Sequence, residues 1–299
     1  MKQKLVRINS IDGIEQPGVL SIPNVKTDKI VIHVHGLNGN FYENRFIDTL
    51  AETYTNKNYA FLTFNNRGRD FITELLKGDD TIIVGGSFER FKDCMLDIEG
   101  VINWAKEKGY KEIILEGHSY GCNKVLYYYN KKKDKNIKKI VLLAPCDIPS
   151  EAKKFLKPEE YEKAKIDATN FVHQGREEQL IDFSVMANGK ISAGTYYYDF
   201  LPNGENDFIK YADGKNGKSK VLNSVDIPVL VVFGSSDECV LTEDIETVKE
   251  YLKNNISDCN IQVIEGANHS YKNKYKELGD IINNNLEVSD GRNLFKKKC

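Results

Sequence analysis

Ser119 lies in Gly117-His118-Ser119-Tyr120-Gly121, and a carboxylate, Asp237, and an imidazole, His269, follow it along the chain. A serine hydroxyl is a weak nucleophile at neutral pH, and it needs a general base to take its proton and an acid to orient that base. These three side chains could supply that chemistry if the fold brought them together. The G-x-S-x-G pattern alone can arise by chance, but its setting adds weight: the pattern predicts a strand just before it, over residues 112–116, and a helix after it, over residues 119–129. A tight strand-to-helix turn leaves little room for a Cβ at Gly117 or Gly121, and the helix N-terminus favours negative charge near the serine oxygen. Asp237 follows an expected strand, residues 229–233, through Gly234-Ser235-Ser236, and His269 follows another, residues 260–264, through Gly266-Ala267-Asn268. Glu238 or Asp147 could be the acid instead, and Ser119 could be an ordinary helix N-cap.

The elements that would position these residues alternate between short strands and longer helices. Residues 5–11 and 18–22 read as an opening hairpin, with turn-prone Asp12-Gly13 and Gln16-Pro17-Gly18 nearby. Residues 29–35 form a β-branched run of the kind buried on both faces, followed by a helix over 42–54 and a strand over 59–64. Cys94, Ile98, Val101, Ile102 and Ala105 recur at helical spacing and predict a helix over 90–108. Another strand is expected over 137–144, and helices over 243–254 and 272–284. Strands separated by helices require crossover connections, hence an α/β fold with a mostly parallel central sheet flanked by helices and the hairpin as its antiparallel edge. All three chemical residues would then sit beyond the carboxyl ends of strands, where open α/β sheets place their sites.

Residues 147–222 interrupt this rhythm. A structureless loop of that length does not suit a compact fold, so a small inserted subdomain is expected, with helices near 151–169 and 177–187. Within it Phe183, Met186, Tyr196, Tyr197, Tyr198 and Phe200 could line an acyl or aromatic pocket, or form the subdomain's own core.

The charge balance, 42 Lys+Arg against 44 Asp+Glu, points to neither nucleic acid nor an anionic membrane as partner, and the lysine-rich stretch 131–139 reads as a solvated helix end. Asn9, Ser10, Asp12 and Glu15 stand where a signal peptide would carry its apolar core. The apolar runs 140–145 and 227–233 fall short of the roughly 20 residues that span a bilayer, so no membrane insertion is expected. Six scattered cysteines without a C-x-x-C pair argue against a zinc cluster or disulfide scaffold and for a cytoplasmic, reducing location. Cys94 belongs to a buried helix face, and Cys146 and Cys239 fall near the expected cleft without an assigned catalytic role. Among the histidines, His33 reads as a core residue, His35 as shaping a loop and His118 as structural, while His173 lies in the insert with no evident partner.

The order Ser119, Asp237, His269 and the G-x-S-x-G resemble the α/β-hydrolase superfamily, over about residues 28–146 and 223–286. His35-Gly36-Leu37-Asn38-Gly39 is similar to that family's H-G-x-x-G loop, and Asn65-Asn66-Arg67-Gly68 to its structural D-x-R-G segment; Cys122 stands where a second glycine is common. The resemblance implies an oxyanion hole from the backbone N–H groups of Leu37 and Tyr120. It also implies a core of residues 1–146 and 223–299, with residues 147–222 as its lid. The implied reaction is hydrolysis of a carboxylic ester or thioester of a small or medium acyl group through an acyl-enzyme. The substrate would be a small molecule, with no metal or organic cofactor needed. Acyl transfer and hydrolysis of short peptides remain open on the same residues. So does a catalytically silent ligand-binding relative, which a covalent serine probe would leave unlabelled. The oligomeric state is open as well.

Overall fold

The structure is a computed structural model that describes residues 1–183, 189–240 and 244–286. Its strands are β1 (Lys2–Asn9), β2 (Glu15–Ile22), β3 (Lys29–Val34), β4 (Ala60–Phe64), β5 (Thr73–Lys77), β6 (Asp80–Val84), β7 (Glu112–His118), β8 (Ile137–Leu143), β9 (Leu180–Asp182), β10 (Lys190–Ser192), β11 (Val229–Gly234) and β12 (Cys259–Ile264). The helices are α1 (Phe46–Asn56), α2 (Cys94–Glu107), α3 (Tyr120–Lys132), α4 (Ile148–Phe155), α5 (Pro158–His173), the short α6 (Ala193–Thr195) and α7 (Lys220–Asn223), α8 (Ile245–Asn255) and α9 (Tyr275–Asn284). No described helix is long and apolar enough to cross a membrane.

Among the described residues, eight strands form one sheet in the order β1-β2-β4-β3-β7-β8-β11-β12. The β1–β2 hairpin pairs antiparallel and joins β4 antiparallel, whereas β4, β3, β7, β8, β11 and β12 run parallel. The continuous apolar runs of β3, β4 and β11 are buried along nearly their whole length because helices cover both faces. Alternation does the sorting: Ile30, Ile32 and Val34 face the cluster made with α2, α3 and α8, while Val31 faces the one made with α1 and α9. In the parallel register Val34 pairs with Gly117, His118 with Leu143, and Gly234 with Ile264. The loops carrying residues 35–39, 119, 144–147, 235–239 and 265–269 therefore leave one edge of the sheet together.

Several local features differ from the sequence expectation. Gln16, Pro17 and Gly18 lie inside β2, and the reversal is made by residues 10–14. A Cβ on Gly18 would stand 2.5 Å from the Thr63 carbonyl oxygen, so this glycine serves the close approach of β4, not a turn. The expected helix over 151–169 is two helices, because Leu156 takes an extended conformation and Pro158 opens α5. Where a helix was expected over 177–187, β9 pairs with β10 and buries Ile181 opposite Ile191. Met186 lies outside the described residues. The antiparallel pair β5–β6 occupies a stretch in which the sequence signalled no element.

Candidate active site

Ser119 alone makes the reversal between β7 and α3, at φ 54° and ψ −127°. A residue bearing a Cβ stays in that region only when its surroundings hold it there. Glycines make room for it: a Cβ on Gly117 would stand 2.4 Å from the Gly121 carbonyl oxygen, and one on Gly121 2.1 Å from that of Val34. Gly36 packs on the serine itself, since a Cβ there would lie 2.9 Å from Ser119 Cβ, which brings the 35–39 loop against the hydroxyl. His35 shapes this loop by donating from Nδ1 to the Gly36 carbonyl (2.8 Å) and accepting the Asn66 N–H at Nε2 (3.2 Å). Burial, helped by the Lys124 charge, pushes its pKa down to about 3, so the ring is neutral.

The imidazole and carboxylate meet at the far side of the same edge. His269 Nδ1 lies 2.9 Å from Asp237 Oδ1, an oxygen that also accepts the Cys239 N–H at 2.9 Å. Glu238, the neighbouring acid, accepts the His269 backbone N–H through Oε2 at 3.1 Å. Asp147 is engaged within the insert, capping α4 at the Ser150 N–H and accepting the Ala212 N–H at 3.0 Å. His118, kept neutral by burial, donates from Nε2 to the His269 carbonyl (3.0 Å), so the residue before the serine holds the backbone of the histidine.

Ser119 Oγ is 3.5 Å from Cys146 Sγ, while His269 Nε2 is buried and has no hydrogen-bond partner among the described residues. Cys146 also contacts the Cys239 thiol, and Cys239 contacts His269. Burial works against charge on His269, but Asp237 and Cys239 together hold its pKa well above the usual imidazole range. The hydrogen bond from Cys146 draws Cys239 down to about 6 against its burial. Glu151, on the first helix of the insert, touches Cys146, and burial pushes its carboxyl well above the usual carboxylate range.

A sequence profile described as alpha/beta hydrolase fold matches residues 29–270. The chain belongs to the alpha/beta hydrolase fold family. Solved structures agree on the fold of this α/β hydrolase. It is similar to Est1E from Butyrivibrio proteoclasticus with ferulic acid bound, at 20% identity and a TM-score of 0.67 over 94% of this chain and 97% of that one. It is also similar to the Pyrococcus furiosus esterase Pf2001, at 18% identity and a TM-score of 0.58 over 95% and 92% of the two chains. A third similar fold is the alpha/beta hydrolase GrgF from Penicillium sp. sh18, at 15% identity and a TM-score of 0.66 over 96% and 97%. No curated protein matches the sequence.

The α/β hydrolase separates the three tyrosines that sequence reading grouped. Tyr196 is fully buried, packed on Phe183 with ring centroids 5.3 Å apart and stacked on Phe200, which in turn touches Tyr120. Tyr197 and Tyr198 instead line a cavity of about 740 Å³ together with Arg90, Glu177 and Glu205, and Ser119, Asp237 and His269 are not among its lining residues. A wide π-helical turn over Tyr196–Phe200 divides them. The sequence placed Gly36 in the H-G-x-x-G-like loop but not against Ser119, a contact that only cross-strand packing reveals, and it gave no sign of Glu151, which carries no motif. It also passed over the approach of Cys146 and Cys239, which lie far apart in the chain. Arg67, in the D-x-R-G-like segment, holds Asp97 through Nε and Nη2 at 2.9–3.1 Å, a structural pairing beneath the loop.

Proposed function

We propose that this α/β hydrolase cleaves carboxylic esters or thioesters of small or medium acyl groups through an acyl-enzyme on Ser119. The single observation that carries the reading is the Asp237–His269 pair at 2.9 Å, with a buried Nε2 on the imidazole that no described residue partners, and Ser119 in the strained turn of the neighbouring loop. Asp237 holds the proton on Nδ1. Nε2 then takes the serine proton as Oγ attacks the carbonyl carbon, and returns it to the departing alcohol or thiol. Water repeats the sequence on the acyl-enzyme, releases the acid and restores the hydroxyl. The backbone N–H groups of Leu37, beside Gly36, and of Tyr120, at the start of α3, receive the oxyanion; one such donor typically changes the rate by about 10²–10³.

Residues 147–222 form the cap of this reading, over a core of residues 1–146 and 223–299. The ferulic acid bound to Est1E makes aryl-propenoate esters natural members of the first substrate set. The scattered thiols support the cytoplasm as the site of action.

The test is mass-spectrometric labelling by a fluorophosphonate. A single adduct on Ser119 is expected, absent in Ser119→Ala and formed far more slowly in His269→Ala. An intact, folded protein that takes up no adduct and hydrolyses no short ester would overturn the reading in favour of a silent binding protein.

A further inference from the structure

Behind the serine, two thiols and the imidazole converge in a way that ester hydrolysis does not require. The ligand atoms of Asp237, Cys239 and His269 all lie within 4.8 Å of one another, and all three residues are buried. Cys146 adds a second sulfur, in contact with Cys239 and 3.5 Å from Ser119 Oγ. Two buried side-chain atoms of residues that meet here have no hydrogen-bond partner among the described residues: His269 Nε2 and Oε1 of Glu151, each residue being 8% exposed.

We propose that His269, Cys239 and Cys146 form a binding site for a thiophilic divalent cation, Zn²⁺ above all, and that occupancy silences hydrolysis. Thiolate and imidazole donors select Zn²⁺ over Mg²⁺ or Ca²⁺, which prefer oxygen. Asp237 stands where a carboxylate stands behind a metal-bound histidine: it accepts from Nδ1 and so leaves the Nε2 lone pair for the cation. Tetrahedral bonds of about 2.0–2.3 Å set ligands roughly 3.3–3.8 Å apart, and the Cys239 and His269 ligand atoms already lie within 4.8 Å of each other. Each thiol that ligates releases its proton to solvent, and the fourth position faces Ser119 Oγ or the Glu151 carboxyl. Silencing rests on the reading of His269 as the general base, because the bound cation takes the lone pair that would accept the serine proton. Cation binding itself does not depend on that reading.

The experiment uses the full chain, reduced and stripped of metal by a chelator, and titrates it with Co²⁺ as a visible surrogate for Zn²⁺. A thiolate-to-metal charge-transfer band that saturates near one equivalent and collapses on adding Zn²⁺ is expected, both in wild type and in Ser119→Ala. Cys239→Ser should lose the band and need at least about tenfold more Zn²⁺ for half-inhibition of ester hydrolysis. No band in wild type, or equal Zn²⁺ sensitivity in Cys239→Ser, would overturn the site. Should Cys239→Ser not fold, alkylation of wild type by iodoacetamide decides: Zn²⁺ should protect Cys146 and Cys239 together, and unchanged alkylation rates would overturn the proposal. Hydrolysis that persists in Ser119→Ala beside an intact band would fell the serine mechanism and still count for the cation site.

Discussion

At the scale of single residues, the site depends on a division of labour between neighbouring acids. Asp237 takes the imidazole and Glu238 takes the backbone N–H of the same histidine, 2.9 and 3.1 Å away respectively. Asp237→Asn should therefore cost about 10⁴ in kcat, because the amide cannot hold the Nδ1 proton in the required tautomer. Glu238→Gln, which keeps an oxygen for the His269 N–H, should fall by less than about tenfold. Steady-state kinetics on one short ester checks both, and equal losses would show that the two carboxylates share the role. The placement of Ser119, Asp237 and His269 at the carboxyl ends of strands was legible in the sequence because each follows an expected strand within a few residues that include a glycine. The choice between Asp237 and Glu238 lay in the direction of two adjacent side chains, which loop geometry decides.

At the scale of elements, the strand-to-helix turn stands on close backbone packing and on a buried ion pair behind it. Gly121→Ala would press a Cβ to 2.1 Å from the Val34 carbonyl oxygen, so α3 must shift away from β3. A loss of about 1–3 kcal/mol in denaturant unfolding is expected, with kcat falling more than KM rises as Ser119 moves. Lys124 on α3 meets Glu89 at 2.6 Å, both side chains being almost wholly buried. Lys124→Met leaves the Glu89 carboxyl without its partner and should cost about 3–5 kcal/mol. The double variant Glu89→Gln with Lys124→Met should recover much of that loss. Unfolding curves for the three proteins provide the check. The helices α2 and α3 were readable from apolar spacing alone, whereas β9 was not, because its pairing with β10 is a tertiary contact that overrides local helix preference.

At the scale of the whole molecule, the insert is tied to the sheet and continuous with its core. Ile148, Ala164, Ile181, Tyr196 and Phe208 join the same apolar cluster as α2 and α3. Asp147, the residue that leads into the insert, accepts N–H groups from Ser150 and Ala212, while burial raises its pKa from 3.8 to about 6. A carboxyl with a raised folded-state pKa binds its proton more tightly folded than unfolded. Its contribution is thus present at low pH and lost as pH rises from about 4 to about 6. Measured against Asp147→Asn, whose amide does not titrate, wild type should lose on the order of 2–3 kcal/mol over that window. Parallel pH dependences in the two proteins would show that Asp147 is ionised without penalty.

The sequence by itself determined what local sterics and periodicity control. Glycines that admit a tight turn, β-branched runs that suit a sheet covered on both faces, and apolar residues at helical spacing act over a few residues and leave their mark there. They were enough for the mostly parallel α/β sheet, its antiparallel edge and the row of loops carrying Ser119, Asp237 and His269. Only the tertiary structure decided which side chains from distant segments share one buried volume. Cys146 meets Cys239, Glu151 arrives beside both, His118 holds the His269 backbone, and Tyr196 parts from Tyr197 and Tyr198. These contacts join residues many positions apart, and their geometry follows from strand register and the path of the insert, which no local pattern encodes.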